Sequence, residues 1–280
     1  MARDEGSGAV DAWLASGAGN DFLALAEPGA DPAPETVRAW CRRGQSVGAD
    51  GLFVLRRTGG GVAMTHYNAD GGRAELCVNG TRCAARLAFH LGWARDAVTL
   101  ATGAGPVDAR AAGGDAVALE LAAPGAPEQR AAEVEGTSHL RWYVATGGPH
   151  VVLPWDEPLS RAPVATLGPA LRAHPAFGAA GANVSFVRYL APHRFEIRTF
   201  ERGVEGETLA CGSGVLAAAA VGRRLGVLEL PARARTAGGH ELAVADAGGG
   251  RWSLTGDARL LARVELLPGA GRVSAPPAWS

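Results

Sequence analysis

Short runs of alternating apolar and polar residues, each bounded by Gly, Pro or Asn, recur along this chain and predict half-buried strands. They are "GLFVLRR" (51–57), "GVAMTHYN" (61–68), "AVTLAT" (97–102), "AVALELAAP" (116–124), "HLRWYVAT" (139–146), "HVVLPW" (150–155), "NVSFVRYL" (183–190), "RFEIRTF" (194–200), "ELAVADA" (241–247) and "RWSLTGDARLLARVELL" (251–267). Four segments instead read as helices: 32–44, 79–92, 164–177 and 212–226. The first has Pro and Glu near its start and Gly after its end, as helix termini favour. Many strands with a few interspersed helices predict an α+β fold.

The pattern also repeats. "NADGGRAELCVNGTRCAARLA" (68–88) and "RGVEGETLACGSGVLAAAAVG" (202–222) share a polar turn containing Gly, a Cys, a Gly three residues on, and then a helix. Cys77 and Cys211 stand 134 residues apart, close to half of the 280-residue chain. "SGAGNDFLAL" (16–25) and "TGGPHVVL" (146–153) echo each other as Gly turns inside an opening strand. Two similar domains are expected, each contributing one Cys at one helix start. The composition shift at "AAPGAPEQRAAEVEG" (122–136) marks the expected linker. The tail "SAPPAWS" reads as loosely ordered.

Composition narrows the chemistry. With 47% hydrophobic residues the chain can bury a substantial core. Its formal net charge of −1, without a basic run, predicts no nucleic-acid or membrane partner and points to a small molecule. No apolar run is long enough to span a bilayer and the N-terminus lacks a signal-like core, so a cytoplasmic protein is expected. Cys41, Cys77, Cys83 and Cys211 include no pair at zinc spacing, so free thiols and no metal are expected. All 27 basic residues are arginine. Without lysine there can be no pyridoxal-phosphate Schiff base, no P-loop and no kinase strand lysine.

At a helix start the first backbone N–H groups lack internal partners and the macrodipole adds partial positive charge. Such an end binds carboxylates and favours a thiolate over a thiol, which predicts lowered pKa values for Cys77 and Cys211. Two such ends across a cleft offer a carboxylate a cradle of N–H donors with one sulfur on each side of the adjacent carbon. That arrangement can invert a stereocentre without a cofactor. The residues also admit plainer readings: a small buried cysteine, asparagines that cap strand ends, and a solvated Glu201–Arg202 pair. Cys83 reads as core, Cys41 as part of an ordinary helix, and His66 carries no assigned role.

Taken in order, "GAGNDF", "GADGL", "YNADGGRAELCVNGTRC", "GGPH", "NVSFV", "RTFERGVEGETLACGSG" and "LTGDA" resemble the diaminopimelate epimerase family over most of the chain. The resemblance implies two pseudo-symmetric domains, each a mixed strand barrel around a central helix, with the active site in the cleft between them. It implies residues 1–128 with a returning strand at 263–280 as one domain, 129–262 as the other, and a homodimer. It also implies cofactor-independent interconversion of LL- and meso-diaminopimelate on the route to lysine and cell-wall precursors. Cys77 and Cys211 would be the acid/base thiols. Asn20, Asn68, Asn183, Glu201 and Arg202 would hold the substrate, Arg202 on its distal carboxylate. The amides of Val78, Asn79, Gly212 and Ser213 would cradle the carboxylate at the reacting carbon, with His150 and Glu201 setting thiol protonation.

Two positions depart from the family pattern. "CVNG" places Val78 where Gly is usual, and "GGPH" places Gly148 where an Asn side chain is usual. They keep open a racemase of another polar amino acid on the same scaffold. A fold relative that isomerises through a carboxylate, or only binds a ligand, is the third reading.

Overall fold

A computed structural model describes residues 9–134 and 136–267. The tail at 274–280, and the part of the expected returning strand beyond Leu267, lie outside the described residues. The chain opens with strands β1 (Val10–Gly17) and β2 (Asn20–Ala26), followed by helix α1 (Pro34–Cys41) and strands β3 (Gly51–Thr58), β4 (Gly61–Asn68) and β5 (Arg73–Ala74). Helix α2 (Val78–His90) leads into the meander β6 (Ala97–Thr102), β7 (Gly105–Ala111) and β8 (Ala116–Ala122). The next stretch runs β9 (Glu128–Val134), β10 (Thr137–Ala145), β11 (Pro149–Pro154), α3 (Val164–Arg172), β12 (Asn183–Ala191), β13 (Arg194–Glu201) and β14 (Gly206–Thr208). Helix α4 (Gly212–Leu225) then precedes β15 (Ala232–Thr236), β16 (Glu241–Gly248), β17 (Arg251–Asp257) and β18 (Arg259–Leu266).

Strand pairing follows one scheme twice. An antiparallel hairpin, β1–β2, is joined in parallel to β3, which pairs antiparallel with β4, which pairs in parallel with β6. The same sequence of pairings links β10–β11, β12, β13 and β15. Antiparallel β8 and β17 join the two sets. Each set is completed by a strand from outside its own run: β9 pairs with β10, and β18, at the end of the described chain, pairs with β1. The result is a mixed, sheet-dominated α+β fold.

The two long helices sit inside these sheets. Helix α2 touches strands β1 to β4, β6 to β8 and β18, while α4 touches β10 to β13 and β16. Small residues make that possible: Cys83, Ala84, Ala85 and Ala88 in α2, and Ala217, Ala218 and Ala219 in α4, are fully buried. Smaller clusters lie under α3, around Phe186 and Leu171, and under α1, around Val37 and Leu52.

Several boundaries differ from the sequence reading. The expected linker holds strand β9 at Glu128–Val134. Helix α3 ends at Arg172, and Pro175–Phe177 form a separate 3₁₀ turn, because His174 precedes a proline and is steered to extended backbone. The long run at 251–267 breaks at Ala258 into β17 and β18, which pair with different sets of strands. Strands β7 and β15 went unread because alanine, aspartate and arginine make up most of them. No helix among the described residues is long and apolar enough to cross a membrane.

Enclosure of α4 on all sides leaves no room for growth. Ala218→Leu is expected to destabilise the protein by about 1–3 kcal/mol through overpacking, read as a lower urea midpoint at unchanged slope.

Candidate active site

Cys77 and Cys211 occupy equivalent places in the duplicated scheme, each the extended N-cap residue of a buried helix, with φ/ψ of −121°/108° and −113°/106°. The Gly80 amide donates to Cys77 Sγ at 3.4 Å, and Cys211 Sγ lies 3.6 Å from the Ser213 hydroxyl. Glycine three residues after each cysteine keeps the thiols unobstructed. A Cβ on Gly214 would stand 3.1 Å from Ser185 Oγ and 3.3 Å from Cys211 Sγ.

The two helix starts meet. Val78, whose backbone is ordinary helix, packs against Gly212: a Cβ on Gly212 would come within 2.8 Å of Val78 Cγ1. The valine that departs from the family pattern thus fills space that glycine leaves on the facing helix. Beside this contact, Asn79 Nδ2 donates to Asn20 Oδ1 at 2.6 Å and to Ala210 O at 3.0 Å. One side chain ties the start of α2 to the β1–β2 turn and to the residue just before Cys211.

Around Cys211 lie the remaining polar groups. Glu201 accepts from the Thr208 hydroxyl and interacts with Cys211. Asn183 accepts from the Arg202 amide at 2.9 Å through Oδ1, and its Nδ2 lies 3.4 Å from His150 Nε2. Gly148 faces the Arg202 guanidinium, with 3.8 Å from a notional Cβ to Nη2, and Gly147 faces Ser213. Asn20 Nδ2 donates to Asp50, which is held with Asp21 by Arg43. Asn68 is exposed and sits across from Gly51 in the β3–β4 register, next to Asp50. All the residues singled out in sequence therefore converge on one region, Asn68 at its edge.

Electrostatics depart from expectation. Burial pushes the Cys77 thiol up to about 11, Glu201 adds to this, and the Gly80 and Asn79 amides and Arg82 oppose it. Burial, reinforced by Glu201, also lifts Cys211 well above the ordinary thiol range, against the Ser213 hydroxyl and the Gly214 amide. Helix starts do favour thiolates here, but desolvation outweighs them. Burial raises Glu201 as well, and Asp50 adds to it. His150 is fully buried and its pKa falls to about 4 by desolvation, with the Arg202 charge adding to the fall. It is a neutral imidazole that reaches the site through Asn183.

The halves also differ beneath the thiols. By sheet register Phe22, Phe53 and His66 correspond to His150, Ser185 and Thr199. The first three form an aromatic cluster, Phe22 ring to His66 ring 5.7 Å, whereas Ser185 and Thr199 hydroxyls share a 3.0 Å hydrogen bond. Cys77 therefore backs onto a dry wall and Cys211 onto a polar one. The sequence reading missed Asp50, Ser185, Thr199 and Arg82. Each lies inside a family motif, Asp50 in "GADGL", Ser185 in "NVSFV", Thr199 in "RTFERG" and Arg82 in "CVNGTRC", and no local feature sets it apart. Cys41 and Cys83 are buried and free, in the core.

The family profile described as "Diaminopimelate epimerase" matches residues 12–120 and 142–261. The chain belongs to the diaminopimelate epimerase family. It is an isomerase. Its relatives include a protein described as diaminopimelate epimerase from Aquifex aeolicus, 34% identical over 251 residues, covering 84% of this chain and 89% of the relative. Another so described, from Gemmatimonas aurantiaca, is 37% identical over 238 residues, covering 82% and 85%. Among solved structures, a probable proline racemase from Agrobacterium radiobacter superposes with a TM-score of 0.70 at 15% identity, covering 96% of this chain and 98% of that one. That likeness speaks to the fold. Of the two departures from the diaminopimelate epimerase family pattern, Val78 has a packing role, and Gly148 removes an amide beside Arg202 without disturbing the turn.

His66 and His150 are both held near a pKa of about 4 by burial, against an ordinary 6.5. Between those values the unfolded chain binds more protons than the folded one, so stability falls as pH drops from 6.5, by up to about 2.7 kcal/mol per pH unit for two groups. Urea midpoints at pH 5 to 6.5 check this, and His66→Phe is expected to flatten the slope by about half.

Proposed function

We propose that this protein interconverts LL- and meso-diaminopimelate by moving the α-proton between Cys77 and Cys211. The observation that carries the reading is the pair of cysteines capping two buried helices whose starts touch, with Glu201 acting on both. One sulfur, as thiolate, takes the α-hydrogen from one face while the C–H electron pair moves toward the carboxylate. The amides of Val78, Asn79, Gly212 and Ser213 stabilise that charge. The opposite thiol then returns a proton to the other face, leaving the two sulfurs with exchanged protonation states. The absence of lysine supports a route without a pyridoxal-phosphate Schiff base.

Binding falls to Asn20, Asn68, Asn183, Glu201 and Arg202, with the Arg202 fork on the distal carboxylate. Burial and Glu201 raise both thiols, so the substrate's own α-ammonium is the cation that makes a thiolate accessible on binding. The repeated strand scheme supports reading 1–128 with the strand returning at 263–280, and 129–262, as two domains. A homodimer in the cytoplasm that supplies lysine and cell-wall precursors completes the reading. Gly148 favours a second one, inversion of another polar amino acid, because it leaves Arg202 without a neighbouring amide.

Incubation with LL-diaminopimelate in D2O without added cofactor is expected to give the meso form with deuterium at Cα. Cys77→Ser and Cys211→Ser should each lower kcat by about 10²–10⁴. Inversion of a different amino acid alone selects the second reading, and unchanged activity in both serine variants rules out the two-thiol route. The pH profile has a definite sign: with Cys77 raised to about 11, the reactive thiolate grows with pH, so kcat/KM should climb from pH 6 and turn over only where the substrate's α-ammonium loses its proton.

A further inference from the structure

Arg82 lies on α2, five residues after Cys77, and is fully buried. Its Nη2 donates to Asn79 Oδ1 at 2.8 Å and its Nε to the Asp257 carbonyl at 3.4 Å, while Nη1 is buried without a partner. No carboxylate of the described residues lies within ion-pair distance of it. A buried guanidinium so poorly matched costs stability. The corresponding residue five positions after Cys211 is Leu216, equally buried, so packing alone does not require a cation there. The fold nonetheless makes a seat for it. Gly256 on β17 lies against it: a Cβ there would meet Leu242 Cδ2 at 2.2 Å and stand 3.2 Å from Arg82 Cζ and Nε, so the missing side chain leaves room for both neighbours.

By occupying Asn79 Oδ1, the guanidinium leaves the Asn79 amide one orientation, with Nδ2 donating to Asn20 and to Ala210 O. Asp257, whose carbonyl holds the Arg82 Nε, also accepts from the Ala18 amide in the turn that carries Asn20. We propose that Arg82 is a positioning residue for the two-thiol reaction: it locks the Asn79 clamp that fixes the start of α2, and with it Cys77, against the backbone leading into Cys211. This rests on the reaction proposed above. The charge has a local effect too. Among the groups acting on Cys77, Arg82 opposes the upward pull of burial and Glu201, and Arg82 itself is surrounded by Cys77, Cys83 and Asp257.

The test compares Arg82→Leu, Asn79→Ala, the double variant and Arg82→Lys, by steady-state kinetics and by peptide-resolved alkylation of Cys77 and Cys211 with iodoacetamide across pH. Arg82→Leu is expected to fold, to lose about 10–100-fold in kcat and to change KM by less than about threefold. The double variant should be no slower than Asn79→Ala alone, since both substitutions break one clamp. Alkylation of Cys77 should move up by about one pH unit with Cys211 unmoved, a selectivity that general loosening does not give. Arg82→Lys, which keeps a cation and one donor, should keep at least about half of the parent kcat, and decides the matter if Arg82→Leu does not fold. Losses that multiply in the double variant, or an unmoved Cys77 profile, overturn the proposal. Alkylation needs no turnover, so a parent protein inactive on diaminopimelate would refute the proposed reaction while still testing the hold of Arg82 on Cys77.

Discussion

In this chain the two helix starts meet through one bulky and one missing side chain. Val78 supplies bulk on one side and Gly212 leaves room on the other, so the first turns of α2 and α4 close to van der Waals contact. A second side chain at Gly212 would force the helices apart, since its Cβ would come within 2.8 Å of Val78 Cγ1. The rest of the site depends on that contact. It brings Asn79 within reach of Ala210, and it lets Glu201 act on both sulfurs.

Burial that close has an electrostatic consequence. A thiol shielded from water, with a carboxyl nearby, holds its proton, and the helix dipoles are too weak to reverse this alone. Raised thiol pKa values lower the thiolate fraction, through which oxidation proceeds. They also mean that a zwitterionic ligand brings the positive charge that ionises its own base. On the proposed reaction, a ligand without an ammonium beside its α-carbon lacks that charge.

Much of the architecture was legible in the sequence because it is local. Alternation located the strands from β3 to β17 wherever Val, Ile, Leu or aromatic residues marked the buried face. It failed for β15, whose buried positions are Ala232, Ala234 and Thr236 between arginines. The repeat disclosed Cys77 and Cys211, since two equal spacings carry more information than one cysteine. What the sequence hid was non-local. The significance of Val78 depends on Gly212, that of Arg82 on Gly256 and Leu216, and the thiol pKa values on walls made by β2, β3, β11 and β12. Gly212 and Leu216 lie beside Cys211, but no one window holds them together with Val78, Arg82 and Gly256.

Duplication explains why the scaffold is symmetric and divergence why the site is not. Inversion at one carbon needs two proton-transfer groups in mirrored places, and equivalent N-caps provide them without any special construction. The substrate itself lacks that symmetry: its carboxylate, ammonium and side chain leave the α-carbon in three different directions. The supporting residues must therefore differ between halves while the cysteines stay alike. By register Asn68 corresponds to Glu201, His66 to Thr199 and Phe22 to His150, and by its distance from the cysteine Arg82 corresponds to Leu216. In each of the last three pairs, one half has a group that hydrogen-bonds or carries charge where the other has an apolar or unpartnered one. The polar members are split between the halves, Arg82 beside Cys77, His150 and Thr199 near Cys211, so neither sulfur sits in a copy of the other's surroundings. On the proposed reaction, the equivalent N-cap positions would set the reach of each sulfur, and the residues that drifted apart would set the orientation of the substrate.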